Sequence, residues 1–594
     1  MMSFLKTKHL KMYKTVLRLF FITALFMISY SYLNAQTIQY LSPKPGSKLN
    51  TRQTTVIIGF TGTLSMNFIN TAAITATGSA SGVHTGSIIP VEGYTKLIFK
   101  PNVPFSYNEN VLVSGLNGLV NFSFQIQPYT PETIHNEEDN LLNILKQGSV
   151  NIGPKQGDDI PLLTINQYGP TAEGYIFFSN FQQNITHDSY LMALQNNGTP
   201  HFSRLLTARA YDFKRQPNNM YTYYEEMCHF YLGMDHNFNV VDSFYCGNGY
   251  TTDLHEIQLT EDGGAWLMSY DVQNINMSEI VPGGAVSCSV TGLIIQKIDA
   301  NKNVVFQWRS WDHIPITDAT HENLLATSID YIHGNAIEPM NDNSILISSR
   351  HLDEITKVST NTGDIIWRLG GKGNMFTFTN DTMGFSHQHS IRYLGNDHYL
   401  LFDNGNYHSP PFSRASEYKI NEAEKTATLV WEYRNTPDIY AFAMGSVQRL
   451  SNGNTFIGWG SAATTLSEVS PDGELLYQLS LPAGQMSYRA FRYTTQPVTG
   501  TGGNGIPAEF TLFQNYPNPF NPVTTINFNL PESSLVNLSI YDITGKKVAE
   551  VFNRRLLAGQ HSEVWNGAGY SSGVYFYVLT TDKYRSARKM ILLK

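Results

Sequence analysis

The chain is poor in cysteine, in charge and in long apolar runs. Cys228, Cys246 and Cys288 are the only cysteines in 594 residues. That odd number, with no ligand-like spacing, argues against a disulfide framework or a zinc site and leaves room for at most one bridge. Charged residues make up 15% of the chain, against about 25% in an average domain. There are 40 Lys and Arg against 48 Asp and Glu, with no dense basic stripe in the middle of the chain, so the electrostatic footprint of a nucleic-acid binder is missing. Beyond the first segment no uninterrupted stretch of about 18 apolar residues occurs, and no stable membrane-spanning helix is expected. Long stretches of helical period are scarce as well.

What is abundant is aromatic or turn-forming. The 34 Tyr, 33 Phe and 46 Gly favour strands and tight turns over helices, so the expected class is all-β. A chain of this length exceeds one hydrophobic core, and several domains are expected. At the start, Lys6, Lys8, Lys11, Lys14 and Arg18 precede the apolar residues 19–28, and Asn34-Ala35-Gln36 closes the segment. That pattern predicts a signal peptide over 1–35, cut after Ala35, and a mature protein outside the cytoplasm. Residues 36–130 alternate in short runs, such as 54–60 and 95–99, parted by turn clusters such as Pro43-Lys44-Pro45-Gly46-Ser47. They predict a β-sandwich, and the segment resembles the Ig-like domains that precede bacterial extracellular enzymes.

From about Asp158 to Tyr493, within an expected propeller domain of residues 131–498, the sequence repeats itself. One element joins an apolar strand, an Asn/Asp/Gly turn and a second strand ending in an aromatic residue. Its copies run from Leu191 to Phe202, Tyr231 to Phe244, Ile295 to Trp308, Ile355 to Trp367, Glu417 to Trp431 and Glu468 to Tyr477. Six copies at this spacing suit four-stranded propeller blades, and a six-bladed β-propeller is predicted. A second element alternates with the first and begins at His255, Asn335, His389 and Gly445. If these are corresponding strands of successive blades, radial symmetry gathers the four positions around one axis. Two residues upstream stand Asp253, His333, His387 and Ala443, which strand alternation would turn to the same side. Arg350 follows the apolar run 344–348, and a planar guanidinium suits a tetrahedral oxyanion. His229, His313 and His408 read as hydrogen-bonded structural residues. A metal reading stays open, because His387-x-His389 on a strand, with His333 and His255, has a chelating composition.

A gap of Gly and Thr at 499–506 reads as a linker. The remainder, 507–594, starts with Phe513-Gln-Asn-Tyr-Pro-Asn-Pro-Phe520-Asn-Pro522 and passes through Ile540-Tyr-Asp-Ile-Thr-Gly-Lys546 to a basic end. It resembles the C-terminal sorting domain of the type IX secretion system of Bacteroidetes, a small β-sandwich. The resemblance implies that the partner of this tail is the secretion machinery and that the protein ends secreted or on the cell surface, via the periplasm.

The central stretch carries a second resemblance. Trp311-Asp-His313, His333-Gly-Asn335, Ser349-Arg350-His351, Trp367-Arg-Leu-Gly-Gly371, Phe385-Ser-His-Gln-His389, Leu401-Phe-Asp-Asn404, Gly445-Ser-Val-Gln448, Gly458-Trp-Gly460 and Tyr488-Arg-Ala-Phe-Arg492 are similar to bacterial aryl-sulfate sulfotransferases. That family implies a six-bladed propeller that uses neither metal nor nucleotide. It moves a sulfuryl group from a phenolic sulfate ester to a phenol through a sulfohistidine. Carried over by motif, His389 is the nucleophile, with His387 beside it as the other candidate. His255, His333 and Arg350 complete the catalytic set and Asn335 helps to hold the sulfuryl oxygens. Thr464 and Thr465 are the candidates for a threonine that the family draws from a late loop. Trp459, Tyr407 and Phe442 are candidates for a phenol pocket or for core packing. The competing expectations are a surface propeller that binds a glycan or a protein without catalysis, and a metal-dependent hydrolase.

Overall fold

The computed structural model describes residues 37–129, 160–182, 189–206, 208–494 and, apart from short gaps, 510–593. The signal peptide and linker expected at 1–35 and 499–506 lie outside the described residues. Among the latter there is one α-helix, Met66–Thr71, and a few short 3-10 turns; the rest of the regular structure is strand. The chain divides into two compact units, 1–493 and 494–594. Cys228, Cys246 and Cys288 are buried thiols in the first unit.

The first unit opens with a sandwich of two four-stranded antiparallel sheets. In Val120–Gln125 every second residue is buried, so Val120, Phe122 and Phe124 face inward. They meet Val56, Ile58, Leu97 and Phe99 from the other sheet. This sandwich docks on the strand Val304–Arg309. The Tyr40 hydroxyl donates to Gln307 O at 2.7 Å and accepts from Gln307 N–H at 2.8 Å, while its ring stacks on Phe306 at 5.2 Å. Arg309 donates to Asn50 Oδ1 and to the carbonyls of Lys48 and Leu49.

The rest of the unit is a β-propeller. Among the described residues, six antiparallel sheets of four principal strands follow one another between 164 and 493. Their third and fourth strands are the aromatic-ended repeats. Tyr231 pairs with Phe244, Ile295 with Trp308, Glu417 with Trp431 and Glu468 with Tyr477. In the outer hairpin of Glu417 and Trp431 the register slips in mid-strand; in the other five of the six it slips next to the turn, as in a turn closed by a left-handed residue and a bulge. Gly473, at φ 84°, is one such residue.

Two splices close the ring. Thr164–Gln167 supplies an outer strand to the last sheet, and Ala490–Tyr493 supplies the inner strand of the first by pairing with Tyr175–Ser179. Hydrogen bonds also join each sheet to the next. Ser179 Oγ reaches Ala210 O, Gln216 Nε2 reaches Ile257 O, Tyr270 Oη reaches Gly334 O, Asn335 Nδ2 reaches Gln388 O, Ser390 Oγ accepts Val447 N–H, and Ser446 Oγ reaches Ala490 O. The strands nearest the axis are Ala490–Tyr493, Ala210–Arg215, Ile257–Leu259, Gly334–Pro339, His389–Gly395 and Ser446–Arg449.

The second unit holds two sheets of its own, built on Val523–Leu530 and Ser534–Asp542. Ile526, Phe528, Leu538, Tyr577 and Leu579 form their shared core.

Candidate functional site

The residues that begin the second repeat do gather around the axis, by a local geometry other than strand alternation. His333 and His387 have φ of 47° and 53°, so each sits in a left-handed bend before its inner strand and the period of two does not reach it. The bends are held by carboxylates. Asp330 Oδ1 accepts His333 N–H at 3.1 Å, and Asp353 Oδ1 accepts His387 N–H at 2.7 Å.

Three imidazoles form the centre. The rings of His255 and His333 lie 5.1 Å apart, edge to face. Each uses Nδ1 on a carboxylate: His255 on Asp253 Oδ1 at 2.6 Å and His333 on Asp330 Oδ2 at 2.6 Å. These pairings fix Nδ1 as the donor and leave Nε2 as the ring nitrogen without a protein hydrogen bond. His389 is different. Its Nδ1 lies 2.7 Å from Asn404 Oδ1 and 3.1 Å from His387 O. Both partners are acceptors, so Nδ1 carries the proton and Nε2 holds a lone pair. That Nε2 makes no hydrogen bond to the protein and is not sealed from solvent. Burial, with the charges of Arg350, His255 and His333, holds the His389 ring well below its usual value.

Arg350 follows the strand Ser344–Ser349. It donates to His351 Nε2 at 2.6 Å and to Phe442 O at 3.2 Å, and its buried Nε has no partner. His351 in turn gives its Nδ1 proton to Asp330 O at 2.6 Å, and its ring lies 4.7 Å from that of His333. Burial, and then His333, push His351 down to about 4, so it is neutral and its Nε2 accepts from Arg350.

His387 does not share this opening. Both its ring nitrogens are buried without a hydrogen-bond partner, and its ring packs against those of Tyr407, His351 and His321. Burial, and then Arg350, bring it down to about 2. Asn335 is buried, donates to Gln388 O at 2.8 Å and leaves Oδ1 unpaired. The Thr465 hydroxyl accepts Leu481 N–H at 2.9 Å inside its own sheet. Neither Thr464 nor Thr465 has a hydrogen bond to the cluster. Trp459 is core: it is fully buried and donates to Ser467 Oγ. Tyr407 and Phe442, by contrast, are about half exposed, at 53% and 49%. Tyr407 stacks on His321, and the Phe442 carbonyl holds Arg350, so both belong to the mouth.

Beneath the imidazoles a charge network fills the channel. Arg489 bridges Asp212 and Glu256 at 2.9 Å each, Lys214 pairs with the same two carboxylates, and Arg392 reaches Glu256 at 2.8 Å and Glu338 at 3.8 Å. Arg489 also donates to Asn335 O at 2.7 Å, which ties the network to the site. A separate cavity of about 480 Å³, lined in part by Lys214, Glu338 and Arg392, lies on its far side.

Among the described residues, Asp330, His333 and His351 are the one group whose ligand-type atoms lie within 4.8 Å of one another. His333 Nδ1 and both His351 ring nitrogens are already committed, to Asp330 Oδ2, Asp330 O and Arg350. A guanidinium 2.6 Å from a ring nitrogen also opposes a dication there. The chelating set considered from the sequence, His387 and His389 with His255 and His333, is not gathered in this way.

Sequence reasoning did not single out Asp330, His351 or Asn404 as functional. Asp330 was visible as a carboxylate three residues before His333. Asn404 was visible only inside the Leu401-Phe-Asp-Asn404 motif, since nothing in one sequence says that residue 404 faces residue 389.

Comparison with known families matches residues 232–481 to the family described as Arylsulfotransferase (ASST) and residues 514–593 to the secretion system C-terminal sorting domain. The chain thus carries an arylsulfotransferase domain and a type IX sorting domain, and it is a secreted or cell-surface protein. The first match holds every residue of the imidazole cluster and ends before Tyr488 and Arg489. No curated protein matches the chain. Among solved structures, a protein of unknown function from Bacteroides caccae is similar at 10% identity and a TM-score of 0.36, over 54% of this chain and 98% of that one. An inactive virginiamycin B lyase from Staphylococcus aureus is similar at 8% identity and 0.29, over 62% and 96%. A quinonprotein alcohol dehydrogenase-like protein from Bacteroides thetaiotaomicron is similar at 10% and 0.27, over 77% and 100%. No helix among the described residues is long and apolar enough to cross a membrane.

Proposed function

We propose that the six sheets are the six blades of a nucleotide-independent aryl-sulfate sulfotransferase. It carries a sulfuryl group from a phenolic sulfate ester to a phenol through a sulfohistidine on His389. One observation supports this most: His389 presents an unbonded Nε2 lone pair to a space bordered by Arg350, His255 and His333. In the first step Nε2 bonds to sulfur as the bridging S–O bond breaks, and the electron pair leaves on the phenolate. In the second, an acceptor phenol gives its proton to the imidazole, His255 or His333, that protonated the first phenolate, and its oxygen bonds to sulfur. The S–N bond then breaks and the pair returns to Nε2. Arg350 and the Nε2 groups of His255 and His333 hold the sulfuryl oxygens, and a protonated His255 or His333 delivers the proton to the leaving phenolate. A bound sulfate ester favours that protonation, because an anion beside an imidazole raises its pKa. Asn335 holds the inner strand at Gln388 in place. The exposed Tyr407 and Phe442 form the rim through which the aryl groups enter.

The domain plan that goes with this reading is a signal peptide to residue 35, an Ig-like sandwich to 130 and the propeller to 498. A sorting domain from 507 directs export across the periplasm in a member of the Bacteroidetes. The test is initial-rate kinetics with an activated phenyl sulfate and a second phenol, with a chelator present throughout. Parallel double-reciprocal lines and loss of turnover in His389→Ala are expected. No turnover with any phenyl sulfate would leave a binding propeller, and loss of turnover with chelator would leave a metal-dependent hydrolase.

A further inference from the structure

We infer that the group accepting the Nδ1 proton sorts the three imidazoles into their roles, and that Asn404 is the positioning residue that makes His389 the nucleophile. The inference rests on the sulfuryl transfer proposed above and adds to it a residue that acts through another. His255 and His333 each rest on a carboxylate, Asp253 and Asp330, at 2.6 Å. His389 rests on an amide oxygen at 2.7 Å. The two arrangements differ in what they do to a ring that gains positive charge. A carboxylate stabilises the cation and favours proton delivery; at His333 burial still outweighs Asp330 and holds the ring below its usual value, so the protonated form awaits the anionic substrate. An amide oxygen accepts the hydrogen bond but carries no charge and cannot take the proton.

The orientation of the amide is fixed. Asn404 Nδ2 donates to Ala441 O at 2.8 Å and Met444 O at 2.9 Å, so Oδ1 is the atom left to face His389. The Asn404 backbone carbonyl is held as well, by the Ser413 hydroxyl at 2.8 Å. The charged and titratable groups that act most strongly on His389 are Arg350, His255 and His333. Asp253 and Asp330 are bonded to Nδ1 of His255 and His333, and His389 Nδ1 rests on Asn404 Oδ1 and the His387 carbonyl instead.

Two consequences follow for the reaction. Before transfer the ring stays neutral with its lone pair on Nε2. After transfer, with the phenolate gone and the N–S bond formed, the ring keeps its Nδ1 proton and is a sulfo-imidazolium. That cation is a good leaving group, since it departs from sulfur as a neutral imidazole when the acceptor oxygen attacks. A carboxylate at position 404 would stabilise the cation and hold the sulfuryl group longer.

The experiment exchanges the partner: Asn404→Asp is compared with Asn404→Ala in the full-length protein. The readouts are the pH profile of kcat/KM for the donor, the single-turnover rate of transfer to the acceptor, and the His389 titration by NMR. In Asn404→Asp the acid limb and the NMR titration move up by at least one pH unit, a low estimate for a carboxylate beside an imidazole, and transfer to the acceptor slows at least ~10-fold, since each pH unit corresponds to a tenfold change in the equilibrium. In Asn404→Ala turnover falls while the acid limb stays. An unmoved limb and titration in Asn404→Asp, or identical profiles for the two variants, overturns the inference. If Asn404→Asp does not fold, the converse Asp253→Asn decides. It is expected to slow transfer from an unactivated phenyl sulfate at least ~10-fold relative to an activated one, because the charge that favours proton delivery is removed, and an unchanged ratio overturns the sorting rule. The transfer reading itself fails on a separate result, full turnover in His389→Ala, and the NMR titrations do not depend on turnover.

Discussion

Replacing Glu256 by glutamine tests the channel network through folding stability, a readout that does not require turnover. Glu256 is fully buried and receives Lys214, Arg489 and Arg392. Burial alone would raise its carboxyl, but Arg392, Arg489 and Lys214 outweigh burial and lower it from 4.5 to about 2. That difference corresponds to roughly 3 kcal/mol at 1.36 kcal/mol per pKa unit. The figure falls at the low end of the ~3–5 kcal/mol typical for removing one partner of a buried ion pair. Glu256→Gln is therefore expected to destabilise the first unit by about 3 kcal/mol at pH 7. The sign with pH follows from linkage. A carboxyl depressed in the folded state contributes in full above its unfolded value and loses the contribution as pH falls through the folded one. The gap between wild type and variant should hold down to pH 4.5 and close toward about 2. Urea unfolding followed by tryptophan fluorescence suits the measurement, since six of the seven tryptophans lie in the first unit. A variant within 0.5 kcal/mol of wild type at pH 7, less than the usual spread of surface substitutions, would refute the reasoning, as would a gap that widens in acid.

Four further outcomes are expected. Thr465→Val should keep kcat and lose about 1 kcal/mol of stability, because its hydroxyl serves Leu481 N–H rather than substrate; a large loss of kcat with normal melting would return Thr465 to the site. Tyr40→Phe leaves both Gln307 backbone groups without their partner and should destabilise the first unit by about 1–3 kcal/mol in a urea titration. The donor half-reaction with an activated phenyl sulfate should stay flat well below pH 6.5, since burial and Arg350 keep the His389 ring unprotonated; an acid limb near 6.5 in stopped-flow traces would contradict this. Deleting residues 495–594 should abolish surface export, read by cell fractionation, and leave the melting of the first unit unchanged.

The repeats were legible because each copy is a local hairpin whose aromatic end residue sits opposite its own partner. Glu417 with Trp431 and Ile295 with Trp308 are pairs only about a dozen residues apart. The ring closure was not legible, since Tyr175 pairs with Tyr493 across the whole propeller. The candidate site was legible at His255, His333, Arg350 and His389, which recur in register or carry family motifs. It was not legible at Asn404, which comes from a neighbouring strand, nor in the network of Asp212, Glu256, Arg392 and Arg489. Strand alternation misjudged His333 and His387, because positive φ takes both off the strand. For His387 the result is a ring with sealed nitrogens. Thr464 and Thr465 were drawn from position in a loop alone, and Thr465 proved to be bonded within its own sheet.

The most direct measurement is to trap the covalent enzyme. The protein is incubated with an activated phenyl sulfate and no acceptor, quenched in alkali to preserve an N–S bond, digested and mapped by mass spectrometry. The account predicts one sulfuryl group on the peptide that contains His389, discharged when a phenol is added before the quench. Turnover with no labelled peptide, or a label on any other residue, would contradict it.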